Sequence, residues 1–226
     1  MYICYFQCDY RSTLEPVVEL YGRDVVRSSK RISNPGCYAT STQLLIAPVL
    51  NYIKPGALTT VFGISGYSGA GTVMENDTMG KPVSKPKISP DMLKGGIKPY
   101  SLTGHIHERE AGYHLSSLLG KGQVKVAFIP TVGPWFSGII STASIPLKEK
   151  LSATDILDLF QEKYKNEPLI QIQKDVVEVK DVEGRHGWSV GGIQTSVQRD
   201  RVVIVVCCLL STSCTPGPIY VFPGWS

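Results

Sequence analysis

The chain has 226 residues, 23 Lys and Arg against 19 Asp and Glu, and a formal net charge of +4. That length suits one good-sized core with ragged ends, and the basic residues are scattered through Lys81 to Lys98 and Lys148 to Lys165 rather than gathered into the concentrated face that nucleic-acid binding needs. Six cysteines without a secretory signal argue for a reducing compartment rather than a disulfide framework, and no apolar run approaches the roughly 20 residues of a membrane span.

Taken in chain order, Met1 to Phe6 reads as a strand, not as a transit peptide, which would be amphipathic and Arg-rich. Pro35-Gly36 then turns the backbone, and Ala39, Leu44, Leu45 and Ile46 give the next segment an apolar face, predicting a helix from Cys37 interrupted near Pro48. A cysteine in the first turn of a helix sits near the positive end of the dipole, where a thiolate is favoured. A buried, inert thiol is the ordinary alternative.

Thr59 to Ile64 predicts a strand running into Gly63, Gly66 and Gly69. A strand followed by glycines opens a dinucleotide-binding turn, but no amphipathic helix follows and Asp77 lies in polar sequence rather than at the end of a second strand, so an independent nucleotide unit is not expected. Thr72 to Pro99 reads as a loop with at most a short helix near Pro90 to Leu93. Glu108 to Leu119 predicts a helix stopped by Gly120, Val124 to Ile129 and Gly138 to Pro146 predict strands, and Ser152 to Asp155 caps a helix whose Ile156, Leu159, Phe160 and Tyr164 pack on a sheet. Ile170 to Val179, Trp188 to Thr195 and Arg201 to Val206 predict consecutive strands. The expected fold is α+β, a mixed, largely antiparallel sheet with helices on one side.

Candidate chemistry centres on Cys37. His105 and His107 project from the same face of an extended segment and away from each other in a helix; a loop entering the helix at Glu108 brings one imidazole to Cys37, with His107 favoured as nearest the entrance and His105 second. Two hydrogen-bonded structural histidines are the ordinary alternative. No metal site is expected, because neither Cys4 and Cys8 nor Cys207, Cys208 and Cys214 show paired Cys-x-x-Cys spacing.

The runs Asn34-Pro35-Gly36-Cys37-Tyr38-Ala39-Thr40, Gly63 to Gly71 and Gly104-His105-Ile106-His107-Glu108-Arg109-Glu110, with Phe128-Ile129-Pro130 and Gly184-Arg185-His186-Gly187, resemble the N-acetyl-gamma-glutamyl-phosphate reductase family over roughly Tyr21 to Val206. The resemblance implies a catalytic domain of the semialdehyde-dehydrogenase type and reduction of an acyl phosphate by NADPH through a thioester on Cys37. It implies His107 or His105 as acid and base, Gly66, Ser68 and Gly69 beside the nicotinamide, and Arg11 and Asn34 as substrate ligands, Asp9-Tyr10-Arg11 resembling the end of the family's Asp-aromatic-Arg motif. A homo-oligomer formed through the sheet is implied too, and a mitochondrial setting by likeness to fungal forms, with a cytoplasmic one as the alternative.

There are departures from the family pattern. Thr131 follows Pro130 where reductases commonly have His, and Ser137 stands where many have Arg. The chain reaches Cys37 too soon to hold the family's nucleotide-binding half, and from Cys207 it leaves the family's closing helix. The resulting division is a remnant of that half over 1–20, the catalytic and dimerisation domain over 21–206 and a divergent tail over 207–226, with an incomplete NADPH site. A non-catalytic dimerisation fragment and an aspartate-semialdehyde dehydrogenase, which shares the chemistry, remain as alternatives.

Overall fold

Alternating burial along the strands decides the architecture. On β8 (Ile139–Pro146), Ile139, Ser141, Ala143 and Ile145 are buried while the residues between them are half-buried, so one face meets a core and the other does not. The computed structural model describes residues 2–4, 17–28, 31–33, 35–120, 122–182 and 186–209. Arg11 and Asn34 lie outside the described residues.

The chain begins with β1 (Tyr2–Cys4), two short helices α1 (Val18–Tyr21) and α2 (Arg23–Ser28), and β2 (Arg31–Ser33), which pairs parallel with β1. Then come α3 (Cys37–Ile46), running into a 3-10 turn at Ala47–Tyr52, and β3 (Leu58–Gly66), running into another at Tyr67–Ala70. Between 72 and 99 the expected loop is instead a hairpin of β4 (Thr72–Asn76) and β5 (Pro82–Pro86), a single turn of helix α4 (Pro90–Leu93) and a two-residue strand β6 (Lys98–Pro99). The remainder is α5 (Ile106–Leu119), β7 (Lys125–Gly133), β8, α6 (Ala153–Tyr164), β9 (Ile170–Ile172), a 3-10 turn (Val179–Val182), β10 (Gly187–Thr195) and β11 (Arg201–Leu209).

Seven strands form the main sheet in the order β6-β7-β3-β8-β11-β10-β9. The β7–β3 and β10–β9 pairings are parallel and the other four antiparallel, giving the mixed, largely antiparallel sheet expected of an α+β fold. The strand expected over Ile170 to Val179 stops at Ile172, because Gln173 and Asp175 turn inward to hydrogen-bond Val190 and Gly192 of β10.

Helices α3, α5 and α6 cover one face. Val61, Phe128, Ala143, Ile145, Val202, Ile204 and Val206 from the sheet meet Leu45, Ile46, Leu115, Ile156 and Phe160 from the helices in one core; each large side chain so buried contributes roughly 1.5–3 kcal/mol relative to exposure. The Ser152 side chain accepts from Asp155 N while Asp155 accepts from Ser152 N, a complete capping box at the start of α6. At its other end the Tyr164 hydroxyl donates to the Leu44 carbonyl at 2.6 Å, tying α6 to α3. Arg23 forks onto Glu167 at 3.1 and 2.8 Å and pins α2 beside the end of α6.

Candidate active site

Cys37 is the first residue of α3, with Gly36 as N-cap. No side chain caps that end, so the amides of the first turn, Tyr38 and Ala39 among them, keep donors without an intrahelical acceptor. Tyr38 anchors the turn from below: its ring lies 4.6 Å from that of Phe128, and its hydroxyl donates to the Thr131 carbonyl on β7.

The histidine segment arrives from the other side. His105 is the N-cap of α5, its Nδ1 accepting from His107 N at 3.2 Å. His107 therefore lies inside the first helical turn rather than on the extended loop that would place both rings on one face, and the two ring centroids are 4.7 Å apart. His107 packs against Gly36: a β-carbon added to that glycine would lie 2.2 Å from His107 Nε2. The favoured imidazole thus packs on the turn that enters Cys37, while His105 is one ring further out, edge-on to Tyr100 at 5.8 Å.

Two carboxylates hold this arrangement. Glu110 Oε1 accepts from Gly36 N at 3.1 Å, and its Oε2 is 3.9 Å from His107 Nε2. Glu108 accepts from Gly104 N at 2.8 Å and from Phe128 N at 2.9 Å. Burial, reinforced by His105, pushes His107 down to about 4, and its Nδ1 is buried without a hydrogen-bond partner among the described residues. At neutral pH this imidazole is an uncharged base. Burial and then the proximity of Cys37 push Tyr100 up to about 12, so it stays a protonated donor. Elsewhere, burial drives Cys207 to about 12 and Cys208 higher still.

Sequence reasoning named neither Tyr100 nor the separate roles of Glu108 and Glu110. Their spacing to the histidines was visible, but Tyr100 reaches the site only because its amide bonds to Pro130 on β7, a long-range pairing with no periodic signature.

The Gly66, Ser68 and Gly69 loop does not form a dinucleotide cradle with the described residues. The strand β3 leads into one 3-10 turn and a hairpin, without the helix whose N-terminus receives a pyrophosphate. Gly66 is glycine for packing: a β-carbon there would lie 2.5 Å from the Phe136 carbonyl oxygen, and Ser68 N already donates to that carbonyl. Gly69 is exposed and adjoins only Ser65. Among the described residues no group of three His, Cys, Asp or Glu is placed to hold a metal ion, and no helix is long and apolar enough to cross a membrane.

A mixed sheet with helices on one face, with Cys37 at a helix entrance and His107 on the glycine before it, agrees with the semialdehyde-dehydrogenase type of domain that the sequence resembles. The model for "Semialdehyde dehydrogenase, dimerisation domain" matches residues 37–209, and the chain belongs to that family. Within it, the chain is 45% identical over 188 residues to "Protein arg11, mitochondrial" of Schizosaccharomyces pombe, covering 83% of this chain and 19% of that protein. It is 40% identical over 176 residues to the N-acetyl-gamma-glutamyl-phosphate reductase of Xanthomonas euvesicatoria, covering 78% of this chain and 50% of that one. The chain therefore spans half the length of such bacterial relatives and about a fifth of the fungal ones. Its fold is that of aspartate semialdehyde dehydrogenase II from Vibrio cholerae, with a TM-score of 0.65 at 15% identity over 89% of this chain and 64% of that one.

Proposed function

We propose that this domain carries out the acyl-transfer half of the reduction of N-acetyl-gamma-glutamyl phosphate, the reaction named by its bacterial relatives. The observation that carries the reading is the seating of His107 on Gly36, directly before Cys37. The Cys37 sulfur attacks the acyl carbon, the bond from that carbon to the phosphate oxygen breaks, inorganic phosphate leaves and a thioester remains. The thiol proton goes to the neutral His107, which holds it only as the sulfur commits to attack. Glu110, at 3.9 Å, offsets the imidazolium charge that results. First-turn amides of α3 face the developing oxyanion. NADPH, held by residues beyond this domain, would supply the hydride that reduces the thioester; Gly66, Ser68 and Gly69 would border it without holding it. Arg11 and Asn34 remain proposed substrate ligands.

Without reductant, the purified chain is expected to release about one phosphate per Cys37 from N-acetyl-gamma-glutamyl phosphate and then stop. Continuous release, or none, would count against a covalent intermediate.

The second face of the sheet, where Phe62 is half exposed, supports a homo-oligomer. Ile129, Phe62 and Thr142 form one row across three strands, while Val205, next in the row, packs against the cluster of Val177, Val182 and Cys207. Both edge strands, β6 and β9, are only two and three residues long, which leaves face-to-face packing as the open route. Light scattering should give twice the chain mass for the protein and the single mass for Phe62→Arg, with melting of the helix-covered core little changed. A wild-type monomer at tens of micromolar would remove this reading. The relatives named as mitochondrial support a mitochondrial setting.

A further inference from the structure

The carboxylate of Glu108 has a double attachment that helix capping alone does not explain. At the third helical position of α5, one oxygen reaches back to the amide of Gly104, just before the N-cap, much as a capping-box glutamate does. Gly104 itself takes a left-handed φ of 70°, which suits glycine and turns the chain into His105. The other oxygen accepts from Phe128 N, twenty residues on. Strand β6 pairs with β7 only at Thr131 and Val132, so at Phe128 a side chain takes the place of a neighbouring strand.

Phe128 is the ring on which the site is stacked, with Tyr38 at 4.6 Å, His105 at 5.4 Å and His107 at 6.3 Å between centroids. One carboxylate therefore sets the spacing between the start of the histidine helix and the strand beneath it. We propose that Glu108 is a positioning residue for the acyl-transfer step: by holding Gly104 and Phe128 together it keeps the His107 imidazole seated on Gly36 beside Cys37. This rests on the proposed acyl transfer for its consequence, though not for its geometry.

Glutamine at 108 offers one acceptor oxygen and leaves one of the two amides facing an NH2 group; aspartate keeps both oxygens on a stem one methylene shorter. The charged and titratable groups facing His107 and Cys37 are His105, Glu110, Tyr38, Tyr100 and Cys208, all kept in both variants. Burial lowers His105 and the charge of Glu108 itself opposes that, a charge lost in Glu108→Gln and kept in Glu108→Asp.

The test is an NMR titration of the His107 ring in the whole chain, beside single-turnover phosphate release. In the wild type the ring should titrate near 4. In Glu108→Gln it should move toward the ordinary value of about 6.5, with the maximal acylation rate falling about 100-fold at little change in the substrate concentration for half-maximal rate. Glu108→Asp should lie between, and it answers the question should Glu108→Gln not fold. A folded variant whose His107 titrates as in the wild type overturns the proposal, even if its melting temperature has dropped. A ring that moves in the variant while the wild type releases no phosphate would uphold the positioning role and sink the acyl-transfer reading instead.

Discussion

Alanine at position 36 should lower the rate of single-turnover phosphate release about 100-fold while leaving the fold intact. Gly36 has φ −61° and ψ 153°, a conformation open to any residue, so the substitution carries no backbone strain. What it does carry is a methyl group 2.2, 2.9 and 3.0 Å from three atoms of the His107 ring. That ring cannot simply retreat, since Tyr38, His105 and Phe128 surround it, so it must leave its seat beside Cys37. Misplacement of about 1 Å at a reacting centre commonly costs two orders of magnitude in rate. Near-wild-type release from Gly36→Ala, with circular dichroism confirming the fold, would mean that His107 is not the base.

Iodoacetamide near neutral pH is expected to alkylate Cys37 at least about 100-fold faster than Cys207 or Cys208, since the thiolate is the reacting form. Burial holds Cys207 near 12 and Cys208 above it, so neither forms appreciable thiolate at neutral pH. Both lie within β11, fully buried, whereas Cys37 is half-buried at the helix entrance. Peptide mapping after partial labelling reads the ratio directly. Labelling of Cys207 or Cys208 ahead of Cys37 would contradict the assignment of the nucleophile.

Periodic segments were the legible ones. The apolar stripe of α6 with its Ser152 cap, the alternation of β8 and the Pro35-Gly36 break before Cys37 each declare themselves locally, because a single element's burial fixes their pattern. The α+β layering follows from their order. The hairpin of β4 and β5 did not show, since Met74 is exposed and the flanking residues are polar, so no buried face imposes a period. Ile170 to Val179 misled in the opposite sense: its apolar residues suit a strand, yet Val177 packs with Val182 over Cys207 of β11 on the sheet's second face instead of extending the sheet.

The site divides in the same way. Cys37 and His107 could be named as candidates because one chain feature marks each, a turn at a helix entrance and a helix start. The seating of His107 on Gly36 was not visible, since it depends on Phe128 lying between two separate helices. Tyr100 and the double attachment of Glu108 come from pairings across β6 and β7 that leave no trace in local spacing.

The most direct test of the central claim is where the acyl group goes. The chain, incubated with N-acetyl-gamma-glutamyl phosphate without reductant and quenched in acid, should yield one modified peptide, carrying an N-acetylglutamyl group on Cys37 that hydroxylamine removes, as expected of a thioester. Cys37→Ser should abolish that hydroxylamine-labile adduct, and His107→Gln should slow its formation about 100-fold. Phosphate released with Cys37 unmodified, or the acyl group found on another residue, would contradict it.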